Sequence, residues 1–249
     1  TMARWWWEGC GLCGGVRTGG VRRGEDCVVE GSSPEGGVIS VWTLNRPDKL
    51  NALNVDSHRA IKEASARANS DDSVRCVVIR GAPPPEAEEG KRNKPQAFAA
   101  GADISEFAGK DSDDVRPFVE DNAWEAVGNI CKPTIAMVDG FALGGGTELA
   151  LSCDIRIASE VSTFGQPEIN LGLIPGGGGT QRLCRLIGYG MTMEIVLSGG
   201  MVKAEDALRM GLVNRMVPPE DLESETMSLA EEISRKSPYT TKVAKRVVR

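Results

Sequence analysis

Histidine is almost missing from this chain of 249 residues, which carries one, His58. Ser-His-Asp, Cys-His or histidine-metal chemistry would all depend on that single ring. Its setting, VDSHRAIKEA, reads as the exposed side of a surface helix. A basic excess is missing too. With 29 Lys and Arg against 35 Asp and Glu, a net charge of −6 and no basic stripe, the composition speaks against a nucleic-acid partner. No apolar run approaches the about 20 residues that cross a bilayer, so no membrane partner is expected either. The seven cysteines (Cys10, Cys13, Cys27, Cys76, Cys131, Cys153, Cys184) are odd in number and lack the spacing of a disulfide framework, which points to a reducing compartment. Cys10 and Cys13 form a CxxC, but no second CxxC or histidine pair follows at ligand spacing, so no metal site is expected. The glycine runs match neither a dinucleotide fingerprint, since residue 149 is leucine, nor a phosphate loop, since no GxxxxGK occurs.

What is present suits one catalytic unit: 41% of the residues are hydrophobic, enough to bury a sizeable core. Residues 1–24 stand apart, with Trp5 to Trp7, many glycines and four arginines against one acid. A mitochondrial presequence is also rich in arginine, but it is amphipathic and rich in serine, and this segment is neither. An extended or artefactual tail is the expectation. From Cys27 the pattern is regular. The runs CVVEG and VISVWTL, joined by Ser33 to Gly37, predict a hairpin. A helix follows over Val55–Asn69, with Val55, Ala60, Ile61, Ala64 and Ala68 as its apolar side, and then strands at Val74–Gly81, Thr134–Val138 and Asp154–Ser159. Strands alternating with helices predict a layered α/β fold. From Gly176 onward the pattern is mostly helical, including KAEDALRMG ended by Gly211 and a helix over Pro219–Arg235. The loop Ala82–Gln96 combines prolines, acids and the bases Lys91, Arg92 and Lys94, and reads either as a surface insertion or as a polyphosphate contact.

Most of the chemistry is concentrated in Gly140–Thr180, where Glu148 and Glu168 flank glycine-rich turns. In LGGGTEL the glycines allow a sharp turn and close approach of a ligand to the backbone, while a helix start leaves N–H groups unpaired beside a favourable dipole. FAAGAD at Phe98–Asp103 is a second small-residue turn after a strand, able to aim an amide at the same oxygen. Each turn alone is equally consistent with tight helix–strand packing.

Four ordered segments carry a resemblance to a known family: NRPDKLNAL (45–53), AFAAGAD (97–103), GFALGGGTELALSCD (140–154) and FGQPEINLGLIPGGGGTQRL (164–183). From about Cys27 onward the chain resembles the enoyl-CoA hydratase/isomerase, or crotonase, family. The resemblance implies a spiral of ββα repeats with a C-terminal helical region that mediates trimer formation. It divides the chain into the tail 1–24, a catalytic core 25–190 and a helical region 191–249. Relatives continue past the point where the helix from Tyr239 reaches Arg249, so a fragment is the expectation. By the same resemblance, the amides of Ala102 and Gly145 form the oxyanion hole. Glu148 and Glu168 hold one water and add it across an enoyl thioester, Glu148 chiefly as base and Glu168 chiefly as proton donor to Cα, and Gly176 places the water. Coenzyme A, part of the substrate and not a cofactor, would lie along Lys49, Leu50, Asn51 and Ala52 and along Asp103, Ile104 and Ser105. Many short-chain hydratases have a basic residue where Ser105 stands, and the loop bases Lys91 to Lys94 are the expected substitute. Both glutamates are present, which implies hydration, since isomerases usually need only the later one. Sibling activities stay open: methylglutaconyl-CoA hydratase, 3-hydroxypropionyl-CoA dehydratase, isomerase, hydrolase, or a CoA- or RNA-binding relative without turnover. The implied assembly is a homotrimer or a dimer of trimers. The implied location is the cytoplasm, or the mitochondrial matrix for a eukaryotic chain.

Overall fold

The computed structural model describes residues 27–32, 39–85, 94–106, 109–110 and 122–249. The tail 1–24 with its CxxC, the turn at 33–37, and Lys91 and Arg92 lie outside the described residues. The expected hairpin is present: β1 (Val28–Ser32) pairs antiparallel with β2 (Ile39–Leu44), with Val28 opposite Leu44. β2 then pairs in parallel with β3 (Cys76–Gly81), β3 with β5 (Thr134–Val138), β5 with β7 (Ile155–Ser159), and β7 with β10 (Arg215–Val217). These make a sheet of six strands in the order β1-β2-β3-β5-β7-β10. A second sheet, β4-β6-β8-β9, is built from the short strands β4 (Ala97–Ala99), β6 (Phe141–Leu143), β8 (Thr163–Gly165) and β9 (Met201–Lys203).

The chain repeats one move three times: a strand in the long sheet, a short strand in the second sheet, then a helix. β3 and β4 lead to α2 (Ala123–Gly128), β5 and β6 to α3 (Gly145–Ser152), and β7 and β8 to α4 (Gly179–Ser198). This is the ββα spiral. The repeat explains why β3 and β5 read as unbroken apolar runs, since a parallel strand covered on both faces has no polar side. Val77 and Ile79 of β3 and Ala136 and Val138 of β5 face the main core with Trp42, Phe98, Leu149 and Phe164. Cys76, Val78, Ile135 and Met137 face the other way, under α6 (Leu222–Ser234), where Leu222 and Ala230 meet them.

α1 (Val55–Ser70) starts where the Asn54 side chain accepts from Ser57 N, and it ends one residue beyond expectation. Its buried side is a correction. Ser57, His58, Ile61, Ala64, Ser65 and Ala68 are buried, whereas Val55 is 40% exposed. The polar members are tolerated because they bond locally: Ser65 Oγ donates to Ile61 O and Ser57 Oγ donates to Asn54 Oδ1. His58, expected on the surface, is 4% exposed. Its Nδ1 accepts from Ala123 N (3.1 Å), and its ring meets Trp124 edge-on with centroids 4.7 Å apart. Burial, and next the nearby Lys62 charge, push its pKa down to about 4.

The region after Gly176 is mostly helical, with α5 (Ala204–Arg209), α6 and α7 (Pro238–Val248), yet it also supplies β9 and β10. Gly211, at φ +81°, lies just beyond α5. α6 is preceded by a tight turn over Pro219–Asp221. α7 is tied to the sheet through Asp154, which binds Lys245 Nζ (2.6 Å) and Arg249 Nη2 (3.0 Å) and accepts from Thr134 N and Oγ1.

Candidate active site

Three glycines bring the two small-residue turns together. Gly144 has φ +49°, and a Cβ there would lie 2.7 Å from Glu168 Oε1. A Cβ on Gly146 would lie 1.9 Å from Ala99 O, so only glycine lets α3 rest directly on β4. Gly145 opens α3, where the first N–H groups have no intrahelical acceptor. A Cβ on it would lie 3.3 Å from Ala102 N. Ala102 is bridged to Leu53 in parallel fashion, Leu53 N donating to Gly101 O and Asp103 N to Leu53 O (2.8 Å each). That pattern leaves the Ala102 N–H pointing away from Leu53. Among the described residues, neither the Ala102 nor the Gly145 amide is spent on a protein acceptor. Two donors therefore stand side by side at a helix N-terminus, a setting that stabilises negative charge on an oxygen.

Glu148 lies one turn into α3 and is 1% exposed. Its Oε1 accepts from Gly177 N and Gly179 N at 2.7 Å each, so it closes the amide end of α4. Burial pushes its pKa up to about 7; the bond from Gly179 opposes this, the Glu168 charge adds to it, and the Gly177 bond and Arg182 oppose it. Arg182 Nη1 donates to Gly177 O (2.5 Å), bracing the same turn from behind. Glu168 stands on the tight turn Pro167–Leu171 with its carboxyl over Gly144, and burial raises its pKa too. The expected pair is thus brought together around the α3 start. A neutral group with a pKa near 7 beside an ionisable partner is equipped for proton transfer near neutral pH.

The residues expected along the coenzyme form one edge beside the amides. Lys49 ends a tight turn, and Leu50 (φ +51°) and Asn51 (φ +56°) are both left-handed. The Asn51 side chain is fully occupied by the protein: Nδ2 donates to Ala82 O (3.0 Å) and Ala97 O (2.8 Å), and Oδ1 accepts from Arg46 N. Arg46 donates to Ala52 O (2.6 Å) and pairs with Asp103 Oδ2 (2.9 Å). Asp103 also accepts from Ser105 Oγ (2.6 Å), and this bond, ahead of the Arg46 contact, holds its pKa down. Ile104 between them is 63% exposed. Lys94 is tied to Asp48, donating to its backbone oxygen at 2.8 Å. Gly176 is exposed, and a Cβ there would meet nothing within 4 Å. Among the described residues, no group of three or more His, Cys, Asp or Glu could hold a metal ion.

Sequence reasoning missed four contributors. Gly177 and Gly179 hold Glu148, and the four-glycine run was the available signal. Trp124 lies between both glycine turns: its Nε1 donates to Gly145 O (2.8 Å), and Cβ atoms on Gly145 or Gly177 would meet its ring at 2.9 or 2.4 Å. Gln166 is 1% exposed beside Glu168. Nothing local in the sequence marks either side chain.

A family model described as enoyl-CoA hydratase/isomerase matches residues 34–249. A short-chain-enoyl-CoA hydratase of Clostridium acetobutylicum is 41% identical over 214 residues, covering 85% of this chain and 78% of that protein. A crotonyl-CoA hydratase of Syntrophomonas wolfei is 39% identical, covering 83% and 76%. Among solved structures, an enoyl-CoA hydratase from Bacillus anthracis superposes with a TM-score of 0.81 at 34% identity, covering 89% of this chain and 82% of that one.

Proposed function

We infer that this chain, which belongs to the enoyl-CoA hydratase/isomerase family, is an enoyl-CoA hydratase that adds water reversibly to a trans-2-enoyl-CoA to give the 3-hydroxyacyl-CoA. The substrate is an acyl-CoA thioester. The observation that carries the reading is the convergence of two carboxyls, the buried Glu148 and the half-buried Glu168, on a helix start where two amides are unspent.

We assign the thioester oxygen to the amides of Ala102 and Gly145, which stabilise the enolate as water attacks Cβ. Glu148 takes a proton from that water and Glu168 delivers one to Cα, so the product gains one H and one OH and the pair ends with the same number of protons. Gly176 offers its N–H to the water. The coenzyme lies along Lys49 to Ala52 and Asp103 to Ser105, with the Asn51 side chain acting as a brace for that edge and its backbone facing the ligand. The reaction needs no metal or redox group, since the amides supply the electrophile and the glutamates the protons.

The test is the loss of the enoyl thioester absorbance with crotonyl-CoA. Wild type should turn over, and Glu148→Ala and Glu168→Gln should each lose about 100- to 10,000-fold in kcat. A folded wild type no faster than both variants would sink the reading. We further assign a homotrimer or a dimer of trimers, a reading supported by the 56–73% exposure of Leu171, Leu173 and Ile174 beside the Glu168 turn.

A further inference from the structure

A buried primary amide must satisfy both of its ends or pay for the loss of water. Gln166, two residues before Glu168, meets that demand in one orientation. With its nitrogen toward Glu168 it donates to Oε1 and Oε2 at 3.0 Å each, and its carbonyl then faces donors; the reverse would set carbonyl against carboxylate. The same amide lies against Gly179, where an added Cβ would come within 2.5 Å of it. Gly179 is one of the two residues that hold Glu148. One neutral side chain therefore stands between the supports of both glutamates.

We propose that Gln166 is a positioning residue that holds Glu168 as the carboxylate, so that the proton shared by the pair rests on Glu148. The proposal rests on the hydratase reading above. An amide offering two N–H groups bonds an ionised carboxylate more strongly than a neutral acid. Glu148 has its Oε1 filled by backbone amides, which leaves Oε2 to carry the proton. The charges facing the pair are few. Each carboxyl faces the other, and Arg182 on α4 acts on Glu148 in favour of ionisation, a smaller effect than burial. With the proton so placed, the pair is set for dehydration. Glu168 takes the Cα proton as that C–H bond breaks, and the electron pair moves to the thioester oxygen. As it returns, the Cβ–O bond breaks and Glu148 gives its proton to the departing hydroxyl, which leaves as water. Hydration is the same path reversed.

The experiment compares wild type, Gln166→Met and Gln166→Glu in crotonyl-CoA hydration and 3-hydroxybutyryl-CoA dehydration from about pH 5 to 9, with circular dichroism to confirm folding. The acid limb of kcat/KM for dehydration reports ionisation of Glu168 within the coupled pair. Gln166→Met should raise that limb by about one pH unit and lower kcat about 10- to 100-fold, with KM changed less than about threefold. Gln166→Glu, isosteric but presenting a second carboxyl, should raise the limb further. Activity lost without movement of the limb in folded variants means a merely structural glutamine and overturns the proposal alone. An inactive wild type would remove the hydratase reading and this proposal with it.

Discussion

Burial and hydrogen bonding act in opposite directions on Glu148, and burial wins. Its folded pKa is about 7 against 4.5 for the unperturbed group. Below pH 4.5 the carboxyl is neutral in both states and costs nothing. Between 4.5 and 7 the folded chain keeps its proton while the unfolded chain loses it, so stability falls as pH rises, and above 7 the full cost stands. At 1.4 kcal/mol per unit that cost is about 3 kcal/mol. Glu148→Gln, always neutral, should therefore melt higher than wild type by roughly 6–12 °C at pH 8 and by little at pH 5. Equal differences at both pH values, measured by thermal unfolding, would contradict the assignment of charge at this site. The same residue shows what a sequence reveals about a site. The glycine turn beside Glu148 announces close backbone approach, because only glycine tolerates it. The Gln166 amide announces nothing, because a neutral side chain acquires its role from whichever groups the fold sets beside it.

At the scale of elements, α7 is tied down by its cations, Lys245 donating also to Lys132 O (2.7 Å) and Arg249 to Gly128 O, but one carboxylate balances their charge. Asp154 meets Lys245, whose side chain is 9% exposed, together with Arg249 and Thr134. Asp154→Ala leaves two cations facing each other in a half-buried place and should cost about 3 kcal/mol, whereas Lys245→Met removes the charge and its need for a partner and should cost about 1 kcal/mol. Urea unfolding gives both values, and hydrogen exchange across residues 238–248 should rise in Asp154→Ala alone. Equal costs would mean that packing, not charge, holds the helix. Elements were legible where periodicity and burial agree: β3, β5 and β7 emerged from apolar runs because both faces are covered. The inner side of α1 was misread because Ser57 and Ser65 hide their polarity in local bonds and His58 accepts from Ala123 N at the start of α2, neither of which a hydropathy pattern can register. β9 and β10, three residues each, are strands only because the sheet edges offer them partners.

At the scale of the whole molecule, Ile169, Leu171, Leu173 and Ile174, which follow Glu168 along the chain, are all exposed. A set of large apolar side chains exposed in a row marks a surface that is covered in the working state. Sedimentation should give a mass of three chains or a multiple of three, and Leu173→Glu with Ile174→Glu should lower it. A monomer at micromolar concentration would refute the trimer. The closure of α4 by Glu148 has a mechanical side. The oxygen that ties down the amide end of α4 belongs to the group that would exchange protons with water in each turnover. Each catalytic cycle would thus tighten and slacken the first stretch of α4, up to the break in its helical geometry at Gly188, and bond chemistry and helix tension meet in a single carboxyl group.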